Sequence, residues 1–165
     1  MTPQTLFYII IGIIVLNFII DKILDHLNAQ HFNDELPEEI ADVYDEKEYK
    51  RSQQYKKERY RFSLLSSSIS MIATLLFFFL EGFAYVDDLA RSYTDNSILI
   101  ALIFFGVIGM AASILSLPFS YYSTFVIEEK YGFNKTTVKT FVLDKIKGLF
   151  MAAIIGGLLM AVIVW

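Results

Sequence analysis

Four stretches of this chain are apolar for about as long as a helix needs to cross a lipid bilayer, and that fact constrains the fold more than any other. They cover residues 6–24, 62–80, 98–117 and 149–165. A hydrocarbon core of roughly 30 Å takes about 20 helical residues. The first run is unbroken from Leu6 to Ile20 and reaches Leu24 if Asp21 and Lys22 extend to the headgroups. Inside lipid, backbone polar groups must bond within their own segment, so the expected class is an all-α, polytopic membrane protein. A cleaved leader is the rival for run one. Residues 1–5 hold no Lys or Arg and no small-residue cleavage site follows, so a retained helix is expected.

Charge supplies the orientation. Eight of the 14 Lys and Arg fall in residues 21–61, and Lys50, Arg51, Lys56, Lys57, Arg59 and Arg61 directly precede the second run. The segment between runs two and three carries only Arg91, while the segment before run four carries Lys130, Lys135, Lys139, Lys145 and Lys147. Basic connectors stay in the cytoplasm. The expectation is an outside or lumenal N-terminus, cytoplasmic connectors at 25–61 and 119–148, and Trp165 at the outer face.

The first connector is patterned. Pro37 with Glu38 and Glu39 reads as a helix start, since proline suits a first turn and acids suit its positive end. Asp45 with Glu48 resembles a capping box, from which one helix can run through the basic stretch into the second span. Tyr49, Tyr55 and Tyr60 then form an interfacial belt, or are incidental on a solvated helix. Pro118 is expected to end or kink the third span, with helix still possible from Phe119 to Tyr131. Gly132-Phe133-Asn134 reads as a turn. Val138, Phe141, Val142 and Ile146 recur at helical spacing, suggesting an amphipathic surface helix that turns inward near Leu149. The last apolar run reaches the final residue without a polar flank, as a chain cut short would.

Ser63, Ser67, Ser70 and Thr74 share one face of the second span. Such a stripe can line a wet cavity or pack tightly against a neighbouring helix, and the pattern leaves both open. Gly106, Gly109, Ser113 and Ser116 in the third span and Ala153, Gly157 and Ala161 in the fourth read as packing seams.

Catalytic patterns are missing from the sequence. There is no cysteine, hence no thiolate nucleophile or thiolate metal site. The two histidines, His26 and His31, are five apart without the intervening Glu of a helical zinc site, and a loop site with Asp25 or Glu35 is a weak alternative. Glu128 and Glu129 are adjacent and diverge on a helix, which suits solvated carboxylates better than paired acid–base work. A net charge of −4 argues against nucleic acid as partner. The scarcity of charge inside the spans argues against a transporter.

The run LPFSYYSTFVIEEKYGFNKTTVKTFVLDKIKGLF at 117–150 closely resembles the motif region of the type I CAAX prenyl proteases, membrane zinc metalloproteases. LPEEIADVYDEKEYKRSQQYKKERYRF at 36–62 resembles their first connector. The likeness covers nearly the whole chain and matches the family's N-terminal membrane domain. It implies a seven-helix barrel around a water-filled intramembrane chamber, with zinc held downstream by a His-Glu-x-x-His helix and a further Glu. Nothing here matches that machinery, so no catalytic or metal role carries over and no cofactor is expected in this chain. What carries over is scaffold: Glu128, Gly132, Phe133, Asn134, Asp144 and Lys145 match the motif at the chamber's cytoplasmic side. The expected partners are the lipid bilayer, the remainder of the protease in the same or another chain, and a prenylated protein or peptide substrate. A stand-alone membrane scaffold without enzymatic function is the alternative. The resemblance adds weight to a wet face for Ser63, Ser67, Ser70 and Thr74.

Overall fold

The computed structural model describes residues 2–32 and 45–164, and they are helical almost throughout. The helix start at Pro37, Glu35 as a ligand, and Trp165 lie outside the described residues. Helix α1 is Pro3–Ala29, capped by Thr2, whose hydroxyl accepts from the Thr5 N–H at 3.2 Å. At about 1.5 Å per residue its 27 residues reach about 40 Å, so it outruns the hydrocarbon and continues beyond Asp21. Lys22 there pairs with Asp25 at 2.7 Å and lies over the Phe18 ring.

Helix α2, Glu46–Phe79, is one rod of 34 residues that joins the basic connector to the second apolar run. Asp45 caps it, accepting from the Lys47 N–H at 2.7 Å, and Glu46 and Glu48 occupy the positive first turn. Two tyrosines of its polar half reach other segments of the chain. Tyr55 packs edge-on against Tyr131 and Phe133, while Tyr60 meets Phe32 and lies 3.4 Å from His26.

The sequence reading left residues 81–97 as a connector, but Gly82–Tyr93 forms a helix, α3. Its charged residues, Asp87, Asp88 and Arg91, disguise a helical stripe of Phe83, Val86 and Ala90, and Val86 and Ala90 are buried. Twelve residues reach only about 18 Å, too short to cross a bilayer. Phe77 and Phe78 hold Phe83 edge-on, which fixes α3 against the end of α2.

Helix α4, Ser97–Tyr122, begins at Asn96, whose side chain accepts from the N–H groups of Ile98 and Leu99. Pro118 does not end it. The proline removes one donor, yet the chain stays helical and widens into a π-helical stretch, Ser123–Glu128. Helix α5, Val138–Val164, is also unbroken, where a surface helix turning inward near Leu149 was expected. No residue along it has the positive φ that would turn the chain.

Packing runs in an open row: α1 against α2, α2 against α4, α4 against α5, with α3 seated on α2 and α4. Along the spans the described apolar side chains are exposed or half-buried and none is fully buried, as a wall one helix thick requires in lipid, and all four long helices are apolar enough to cross a membrane. The chain is an integral, multi-pass membrane protein. Among the described residues, the buried ones gather at the two ends: Val86 and Ala90 at one, Ile127, Tyr131 and Phe141 at the other. The α4–α5 seam touches Gly157, where an added Cβ would sit 3.7 Å from Leu102, whereas Gly106 and Gly109 face open space. Those two glycines are therefore no seam among the described residues.

Candidate functional site

At the basic end the π-helical stretch turns into a tight cap. Gly132 adopts φ 74°, and the Phe133 and Asn134 N–H groups return to the Glu128 carbonyl at 2.9 and 3.3 Å, with Gly132 N–H to Glu129. This is a left-handed helix C-cap, which glycine permits without a Cβ penalty. Asn134 locks the exit: its amide donates to Glu129 Oε2 at 2.8 Å and to the Thr136 carbonyl, and its Oδ1 accepts from the Thr136 N–H. Gly132→Ala should cost about 1–2 kcal/mol through the left-handed backbone alone, read as a lower unfolding midpoint in mixed micelles. The added Cβ would also meet the Arg51 guanidinium at 3.3 Å.

The cap is fastened to α2. Arg51 donates to the Tyr131 carbonyl at 2.8 Å, and Glu58 accepts from Lys130 Nζ at 2.7 Å and from the Tyr131 hydroxyl at 2.8 Å. The hydrogen bond to Glu58 raises the Lys130 pKa, and burial, then Glu58, raises that of Tyr131. Since Lys130 is well exposed, the pair contributes modestly, and the buried Tyr131 ring is the anchor. Sequence reasoning passed over Glu58. Its signal was its place as the lone carboxylate among the bases of residues 50–61.

Of the six motif residues, Glu128 (through its backbone), Gly132, Phe133 and Asn134 come together in this cap. Asp144 and Lys145 do not join them. They lie on α5, Asp144 exposed and Lys145 reaching Ser120 Oγ at 3.4 Å. Ser67, Ser70 and Thr74 line a groove of about 640 Å³ between α1, α2 and α4, together with Asn17, Asp21, Ser116 and Ser120. Ser63 opens instead onto an adjoining cleft nearer the basic end, which shares Ser66, Phe119 and Ser120 with the groove. Thr74 and Ser67 return their hydroxyl protons to backbone carbonyls of their own helix, at Ser70 and Leu64. An intramembrane hydroxyl satisfied this way still offers its lone pairs to the groove.

Among the described residues no group of three His, Asp or Glu could hold a metal. Residues 25–165 match the family model described as the CAAX prenyl protease N-terminal region with five membrane helices. The chain belongs to that family. It is 36% identical to a probable CAAX prenyl protease 1 of Schizosaccharomyces pombe over 78% of this chain, and 29% identical to CAAX prenyl protease 1 of Saccharomyces cerevisiae over 90%. Those matches take up 29% and 35% of the relatives, so the chain spans about a third of their length. The crystal structure of S. mikatae Ste24p superposes on 98% of this chain with a TM-score of 0.86 at 29% identity, using 39% of that chain. The matched region is that family's N-terminal membrane domain.

Proposed function

We propose that this domain forms part of the wall of an intramembrane chamber in a zinc metalloendopeptidase that processes the C-termini of prenylated or membrane proteins. The observation that carries this reading is the groove: hydroxyls of α2 and α4 and the polar side chains of α1 gather on one side of a wall one helix thick. Ser67, Ser70 and Thr74 then face water in the assembled chamber, while Ser63 lines the neighbouring cleft. The cap of Glu128, Gly132, Phe133 and Asn134 sets the chamber's rim, with Asp144 and Lys145 on the adjoining helix. In this reading the N-terminus lies outside, and residues 25–61 and 119–148 lie in the cytoplasm, where their lysines and arginines favour staying.

The test is reconstitution. Alone in nanodiscs, the chain should leave a prenylated peptide uncut, with or without a zinc chelator. Combined with the S. cerevisiae relative lacking its own matching segment, it should restore chelator-sensitive cleavage. Cleavage by the chain alone refutes a scaffold without catalysis. Failure to restore activity favours the other reading, a membrane scaffold that works without a protease.

A further inference from the structure

An adjoining cavity, about 410 Å³ between α2, α4, the π-helical stretch and α5, shares Ser66, Phe119 and Ser120 with the groove but carries cations that the groove lacks. Three aromatic rings, Phe62, Phe119 and Phe141, form its apolar side, and two cations, Arg59 and Lys145, stand at its polar side. Hydroxyls of serines and Thr124 fill the space between, and no carboxylate lines it. Neither cation has a carboxylate partner among the described residues. Arg59 gives one N–H to the Tyr55 hydroxyl at 2.8 Å, and Lys145 makes one long contact to Ser120 and lies over the Phe141 ring at 5.3 Å. A guanidinium carries five donors and an ammonium three, so most of their hydrogen-bonding capacity is unspent.

Three helices independently set the depth. Arg59 lies one turn before the apolar run of α2, Phe119 stands where the apolar run of α4 ends, and Lys145 lies one turn before that of α5. All three mark the boundary between hydrocarbon and headgroups. We propose that this cleft binds the phosphate of an anionic phospholipid: Arg59 and Lys145 hold the phosphate oxygens, the hydroxyls donate to the remaining ones, and the aromatic side meets the upper acyl chains. Charge-assisted bonds to a multi-oxygen anion use these donors as a lone carboxylate would not. The inference needs only that the helices cross a bilayer.

The full chain in detergent, mixed with dioleoylphosphatidylglycerol or dioleoylphosphatidylcholine, is read by native mass spectrometry. The anionic lipid should bind in preference. Arg59→Gln with Lys145→Gln should reduce that preference about tenfold or more, the loss of at least one charged hydrogen bond. Arg59→Lys with Lys145→Arg should keep it, which separates binding from folding. Lys135→Gln with Lys139→Gln removes equal charge outside the cleft and should leave the preference intact. Equal loss in both glutamine pairs would reduce the effect to general surface charge and overturn the site, as would equal binding of the two lipids. Displacement of the lipid by millimolar inorganic phosphate would identify a soluble-anion site instead. Binding of a free peptide carboxylate, lost on amidation, with no lipid preference would assign the cleft to a peptide.

Discussion

Tyr131→Ala should destabilise the basic end by about 3–5 kcal/mol, the range for emptying a buried aromatic site. The ring is 8% exposed and packs edge-on against Tyr55, and its hydroxyl binds Glu58. Its backbone carbonyl takes the Arg51 guanidinium, so the cap would lose its register on α2 as well as its filling. Tyr131→Phe keeps the ring and loses one hydrogen bond to a carboxylate, which should cost about 1.5–3 kcal/mol. Unfolding in mixed micelles, followed by circular dichroism, separates the two. If alanine costs no more than phenylalanine, the ring is not the anchor and the polar contacts carry the junction.

The second large effect lies at the other end. A Cβ on Gly82 would sit 2.4 to 2.7 Å from ring atoms of Phe77, far inside contact distance. Phe77 cannot yield easily, because it is pinned edge-on to Phe83 at 4.7 Å. The residue before it, Glu81, already adopts φ 56°, so the corner between α2 and α3 is tight without any addition. Gly82→Ala should therefore cost about 1–3 kcal/mol through overpacking. Phe77→Leu in the same chain should return part of it, and an additive loss from the two changes would contradict the overlap.

How much of this was legible follows from the range of each signal. Apolar length is local, so the four spans, the all-helical class and the membrane setting could be read directly. The cap at Gly132 was readable too, since Gly-Phe-Asn after a helical run carries its own backbone requirement. Helix α3 was hidden because membrane arguments weigh charge, and Asp87, Asp88 and Arg91 outvoted the spacing of Phe83, Val86 and Ala90. The bond between Glu58 and Lys130 joins residues 72 apart, and nothing in either neighbourhood announces its partner. At Pro118 the sequence left an end, a kink or a continued helix open, and the chain continues as a helix past it, because a missing donor permits a break but does not compel one.

The serine stripe shows the same division. Periodicity put Ser63 with Ser67, Ser70 and Thr74, but α1 lies over those three while α5 lies beside Ser63, so Ser63 lines the adjoining cleft with Arg59 and Lys145. Helix faces are written in the sequence, whereas the neighbours that divide them are not.

The account rests on the four helices crossing the bilayer with both basic connectors on one side, and sidedness is open to direct measurement. The chain has no cysteine, so single thiols can be placed at will. In intact cells a membrane-impermeant maleimide should modify Ser92→Cys in α3 and spare Lys56→Cys and Lys135→Cys until the membrane is permeabilised. Modification of residue 56 or 135 from outside, or of all three from the same side, would contradict the arrangement on which the wall, the rim and the chamber depend.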